Sequence, residues 1–200
     1  KYFLKIEFYP SRAYLNIKKI IFYLKINSIV FKLSKLKLNT MKNIYTDIAD
    51  LTEGIIGKDI ILVGGCFDII HPGHIDLFKY AQASNLKVLV ALLSDKYIKR
   101  YKSNNRPILS EKHRAEILSS IKYIDYVYII DASTSSENFI KKIQPKKVLF
   151  QKPTDKKSQK IINREKSYKI NSPDTEIIYV ERFRNDISTS IIIDKILDSD

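Results

Sequence analysis

A chain of 200 residues with 44% hydrophobic and 28% charged side chains has the composition of one globular domain, which excludes a collagen-like, coiled-coil or wholly disordered protein. Its single cysteine, Cys66, excludes an internal disulfide and the cysteine pairs of a structural zinc site, and fits a reducing, cytoplasmic setting. The formal charge of +13 points toward a polyanion, but it is unevenly placed: residues 1–40 hold nine Lys/Arg against one acid, Glu7, whereas residues 41–200 hold 26 against 21. Lysine far outnumbers arginine, so a compositional bias accounts for the excess, and neither a nucleic acid nor a membrane is expected as a partner.

Residues 1–40 show no steady period of two or of 3.6, and lysines interrupt each apolar run well short of the roughly 18 residues a membrane span needs. The sole methionine is Met41, and organised patterning starts right behind it. The expectation is therefore a basic extension over 1–40, disordered or translated from upstream of the true start, ahead of one domain over 41–200. A lysine-rich presequence or a membrane-surface arm is the alternative.

Residues 59–66 form a short apolar, β-branched run closing on two glycines, the pattern of a buried parallel strand entering a tight loop. Ile75, Leu77, Phe78 and Ala81 then predict a helix over 74–83, and KVLVALL at 87–93 a second strand. A basic loop is predicted over 94–107, a helix from Ser110 to about Ile121, a strand at 126–130, a helix from near Ser135, and a strand at 147–150. After a polar stretch over 152–173 come a strand at 176–180 and a helix over 188–197. This alternation predicts an α/β fold: a Rossmann-like, doubly wound, mostly parallel sheet with helices on both faces. Ligands of such sheets bind beyond the carboxyl ends of strands, near a switch in strand order.

Three clusters fall at those places. Gly64-Gly65-Cys66-Phe67-Asp68-Ile69-Ile70-His71-Pro72-Gly73-His74 joins the first strand to its helix and holds three of the five glycines. The glycines let backbone amides approach an anion, the helix start aims free N–H groups there, and His71 and His74 share one side of the first turn. That combination makes a phosphate site. As a zinc site it is poor, because no third Cys, Asp or Glu stands at ligand spacing. The second cluster runs from Lys96 through Lys99, Arg100 and Lys102 to Arg106; Lys99 and Arg106 are candidates for holding a substrate phosphate, against a solvated charged face as the plain alternative. In the third, Ser188, Thr189 and Ser190 stand where a helix cap is the default reading, behind Arg182 and Arg184.

GGCFDIIHPGH resembles the GxFDxxHxGH signature of the cytidylyltransferase-like nucleotidyltransferases, and the likeness runs over roughly residues 57–196. The resemblance implies that His71 and His74 bind nucleoside triphosphate phosphates and that Gly65, Cys66, Phe67, Asp68 and Gly73 belong to the nucleotide site. It further implies a catalytic role for Lys102 on the substrate phosphate, nucleotide contacts for Arg114, and triphosphate contacts for Ser188, Thr189 and Ser190. The arginine preceding that last motif is either Arg182 or Arg184.

Within the family, GGCFD, SDKYIKRYKSNNRP and SIKYIDYVYIID most resemble the adenylyltransferase domains that make ADP-heptose from heptose 1-phosphate, while ISTS after a basic stretch resembles the cytidylyltransferases. One departure stands out: Gln151-Lys-Pro-Thr-Asp155 replaces the KGxDY or GDDW loop. The implied reaction is attack of a substrate phosphate on the α-phosphorus of a nucleoside triphosphate, ATP favoured, with magnesium arriving on the nucleotide and no protein metal site. A CTP-dependent enzyme for glycerol 3-phosphate or phosphoethanolamine, and a non-catalytic nucleotide-binding relative, are the alternatives. The family resemblance also implies a homodimer.

Overall fold

The computed structural model describes residues 43–101, 105–131, 133–134, 136–152 and 158–198. The expectation for residues 1–40, the role of Lys102 and most of the Gln151 to Asp155 departure lie outside them. In chain order the elements are β1 (Ile44–Tyr45), α1 (Ile48–Ile55), β2 (Ile60–Gly65), α2 (Pro72–Gln82), β3 (Lys87–Leu93), α3 (Asp95–Tyr101), α4 (Glu111–Ser119), β4 (Tyr126–Ile130), α5 (Ser136–Ile143), β5 (Lys147–Gln151), α6 (Ser158–Asn171), β6 (Glu176–Val180) and α7 (Thr189–Leu197).

The six strands form one sheet in the order β1-β4-β3-β2-β5-β6, with every pairing parallel. Strands buried on both faces are apolar at nearly every position, as IILV of β2 and VLVAL of β3 are. The pleat divides them. Ile61, Val63, Val88 and Val90 pack with Phe78 and Ala81 of α2 and Ala115 and Leu118 of α4. Ile60, Leu62, Leu89 and Ala91 pack on the opposite side with Leu51 of α1, Phe139 and Ile140 of α5 and Tyr168 of α6. The fold is the doubly wound α/β sheet that the alternation predicts. From β2 the chain steps outward through β3 to β4, then returns to lay β5 on the other side of β2. The switch point, and the crevice it opens, is beyond the carboxyl ends of β2 and β5.

Strands β3, β4 and β6 have the bounds read from sequence, and β2 and β5 differ by a residue at one or both ends. Three helical segments depart from the sequence reading. The stretch 94–107 contains α3, because the Ser94 hydroxyl caps it by accepting from the Tyr97 amide at 3.2 Å and Ile98 anchors it in the core. Most of the polar stretch 152–173 is α6, whose only fully buried described side chain is Tyr168; one aromatic anchor in a run of Lys, Asn and Ser leaves almost no apolar stripe to detect. Ahead of β2 the chain forms β1 and α1, the latter capped by Asp47, whose carboxylate accepts from the Ala49 amide at 2.6 Å.

Candidate active site

The site grows from the loop between β2 and α2. Phe67 takes a left-handed conformation, φ 46°, unusual for a bulky residue and a feature that collects at functional loops. Its ring lies against Gly65 so closely that a Cβ there would meet it at 2.7 Å, which is why position 65 is glycine. The same ring supports Phe78 and meets His74 edge-on at 5.2 Å. Phe67 thus acts as a buried wedge that sets the height of His74.

His71 is the N-cap of α2, in extended conformation, and its carbonyl accepts from the amides of His74 (2.9 Å) and Ile75 (3.3 Å). The two imidazoles stack with centroids 3.7 Å apart. Gly73 makes room for this: a Cβ there would stand 3.2 Å from the His71 ring. His71 Nδ1 is buried with no hydrogen-bond partner in the protein. Burial first, and the Arg182 charge second, push the His71 pKa below its ordinary value, so the ring is a neutral imidazole at neutral pH. A buried, uncommitted nitrogen beside a cation and a helix N-terminus is suited to an anionic oxygen.

A cavity of about 230 Å³ opens beside the pair, lined by Gly64, Gly65, Cys66, His74, Arg106, Gln151 and Thr189. A smaller one of about 70 Å³ adjoins His71, Gly73, Arg182 and Arg184. The two arginines differ in use. Arg184 donates from Nε to Asp76 of α2 at 2.8 Å, holding that carboxyl below the usual range, whereas Arg182 is the one whose charge reaches His71. The structure therefore favours Arg182 in the register that the sequence left open. Of the three hydroxyls at the start of α7, Ser188 caps the helix by accepting from the Ile191 amide at 3.1 Å. Thr189 lines the larger cavity and reaches the Ile69 carbonyl at 3.4 Å, and Ser190 is exposed.

Two residues expected in the nucleotide site are held by the protein itself, Asp68 while also lining the larger cavity. Asp68 is buried, accepts from the Ile108 amide at 2.8 Å and the Leu109 amide at 2.9 Å, and pairs with Arg106 Nε at 2.9 Å. It fastens the 106–109 segment to the histidine loop, and Arg106 is tied to it. Arg114, 1% exposed, donates to the carbonyls of Cys66 (2.6 Å), Leu93 (2.9 Å) and Leu109 (3.0 Å) and pairs with Asp95 at 2.6 Å. It braces the carboxyl ends of β2 and β3 from behind the site, where a ligand does not reach. Sequence placed both residues near the site but could not tell a brace from a contact. Lys99 is exposed on α3.

Residues 62–195 match the family described as Cytidylyltransferase-like. The chain belongs to that family. Its cytidylyltransferase-like residues are similar to Bifunctional protein HldE of Helicobacter pylori (strain ATCC 700392 / 26695), 35% identical over 73% of this chain and 29% of that protein. They are also similar to Bifunctional protein HldE of Nitrobacter winogradskyi, 42% identical over 44% of this chain and 18% of that protein. The chain thus spans less than a third of the length of these relatives. In solved structures the same fold occurs in a lipopolysaccharide core biosynthesis protein from Thermoplasma volcanium (TM-score 0.52, 18% identity, 64% of this chain and all of that one) and in pantothenate synthetase from Thermus thermophilus (TM-score 0.56, 12% identity, 75% of this chain and 67% of that one). Membership makes this cytidylyltransferase-like chain a nucleotidyltransferase, with a Rossmann-like nucleotide-binding sheet.

Gln151, the first residue of the departure noted in the sequence, stands at the end of β5 and lines both cavities. Among the described residues no three His, Cys, Asp or Glu side chains gather as a metal site, and no helix is long and apolar enough to cross a membrane.

Proposed function

We propose that the chain transfers a nucleoside monophosphate, with ATP the favoured donor, to a phosphorylated sugar such as heptose 1-phosphate. The observation that carries this reading is the stacked His71 and His74 pair at the α2 N-terminus, facing Thr189 at the start of α7 across a cavity at the sheet's switch point. An oxygen of the sugar phosphate attacks the α-phosphorus; the bond from that phosphorus to the bridging oxygen breaks, and pyrophosphate leaves with the electron pair. The nucleophile is already anionic, so no strong base is needed. The protein's work is to align two polyanions and stabilise charge as it develops.

His71 and His74 would hold phosphate oxygens, with Arg182 adding charge and the amides of Gly65 and the α2 start adding donors. Lys102, Lys99 and Arg106 would attend the substrate phosphate. The ATP preference and the sugar rest on the likeness of GGCFD and the segments after β3 and α4 to ADP-heptose-forming domains, and HldE relatives accord with it. Magnesium belongs with the nucleotide as substrate: the residues present do not fit a protein-held metal, since Asp68 is tied to Arg106 and two amides.

Pyrophosphate release tests the reading, with ATP and CTP each offered heptose 1-phosphate, glycerol 3-phosphate and phosphoethanolamine. Release with ATP and the sugar phosphate is the expected result. Release confined to CTP with an alcohol phosphate would replace it by the cytidylyltransferase reading, and binding without release by a non-catalytic one.

A further inference from the structure

The two cavities at the histidine pair have His74, Leu77 and Gln151 in common, so these side chains form the divide between them. The larger space adds Gly65, Arg106 and Thr189, and the smaller adds His71, Arg182 and Arg184. Their charge differs. In the larger space Arg106 is offset by the buried carboxylate of Asp68 at 2.9 Å. In the smaller, Arg184 meets Asp76, but among the described residues Arg182 pairs with no carboxylate and directs its charge at His71. The uncommitted cation therefore lies on the smaller side. That favours the terminal phosphates of a nucleoside triphosphate there, with the α-phosphorus at the divide.

Gln151 reaches the divide through the pleat of its strand. Alternation along β5 puts it on the face of Leu149, which packs with Ile61, Val63 and Phe78 beneath the histidine loop. Its backbone is fixed: it stands opposite Val180 of β6, and the next amide, of Lys152, donates to the Val180 carbonyl at 2.8 Å. Its side chain is exposed, and the terminal amide makes no hydrogen bond among the described residues. Of its companions at the divide, Leu77 cannot hydrogen-bond and His74 is set in place by Phe67. Gln151 thus brings an uncommitted N–H donor, on an anchored backbone, to the line where the two spaces meet.

We propose that the Gln151 side-chain amide donates to the oxygen bridging the α- and β-phosphorus atoms of the nucleotide, and stabilises the charge that builds there as pyrophosphate leaves. The proposal deepens the nucleotidyl-transfer reading and rests on it. As the acceptor's phosphate oxygen bonds to the α-phosphorus, the bond from that phosphorus to the bridging oxygen breaks, and its electron pair departs on pyrophosphate. The bridging oxygen gains charge along the way. A donor placed on it holds the transition state more tightly than it holds ATP, so its contribution falls on kcat and not on KM.

Two measurements on the full chain test it. The first is steady-state kinetics of Gln151→Met, which keeps the side chain's length and removes the N–H, with ATP and heptose 1-phosphate. Here kcat is expected to fall about 10²-fold while KM for ATP stays within about twofold, with Tm near that of the parent. An unchanged kcat, or a raised KM with kcat preserved, would overturn the proposal and leave the transfer reading standing. The second measurement needs no turnover. The Gln151 side-chain amide signals in ¹⁵N NMR, assigned by their loss in Gln151→Met, are followed as two ATP analogues are added. The β,γ-methylene analogue keeps the oxygen between the α- and β-phosphorus atoms, and the α,β-methylene analogue puts carbon there, which accepts no hydrogen bond. The first is expected to shift the Gln151 amide several-fold more than the second, and equal shifts or none would overturn the proposal. A parent chain that releases no pyrophosphate but shows the unequal shifts would retain the Gln151 contact and dismiss the transfer reading.

Discussion

His71 and His74 act as a stacked pair, so removing either ring takes a phosphate donor and its neighbour's support together. His71→Ala or His74→Ala is expected to lower kcat by about 10²- to 10³-fold, the cost of one transition-state donor, with circular dichroism and Tm near those of the parent. Gly73→Ala pushes a methyl to 3.2 Å from the His71 ring and should lower activity by tilting it, again with little loss of Tm. His71 also sets a pH dependence. Its folded pKa lies below the ordinary value of about 6.5, so the neutral ring favours the fold above that pH, and this contribution fades as pH falls through the lowered value. Bound phosphates favour the imidazolium. The His71 ring signals in NMR should therefore titrate below pH 6.5 in the bare protein and higher with nucleotide, and Arg182→Ala should raise the bare-protein value.

At the scale of elements, the loops after β2 and β3 hold their shape through Arg114 and Asp68. Arg114→Met leaves three partly buried carbonyls and Asp95 without their donor, and is expected to cost about 3–5 kcal/mol in a denaturant titration. A direct nucleotide contact would instead show as weakened ATP binding at nearly unchanged stability. What was legible from sequence divides along the same line. The strands and the histidine loop stand out because continuous apolar runs, paired glycines and the spacing of His71 and His74 report local requirements of the chain. α3 and α6 hide because each is anchored by few apolar side chains, Ile98 and Tyr168, and their stability comes from tertiary contact. The division of labour between Arg182 and Arg184, or between a brace and a contact, depends on which acid each meets in space. Asp76 and Asp95 are distant from those arginines along the chain.

Across the whole molecule, one topological event organises the site. Laying β5 beside β2 after the excursion to β4 opens the histidine cavity beyond the carboxyl ends of these two strands, with His74 of α2 and Thr189 of α7 both in its lining. Every described site residue lies within 43–198, and a chain starting at Met41 is expected to transfer with KM values close to those of the full chain. The central claim is nucleotidyl transfer at the histidine pair, and ³¹P NMR of the product tests it most directly. With ATP, magnesium and heptose 1-phosphate, the full chain should give paired diphosphate doublets of a sugar–nucleotide conjugate together with pyrophosphate, and His71→Ala should give them far more slowly. Orthophosphate without a conjugate, or conjugate formed equally fast without the histidine, would contradict the account.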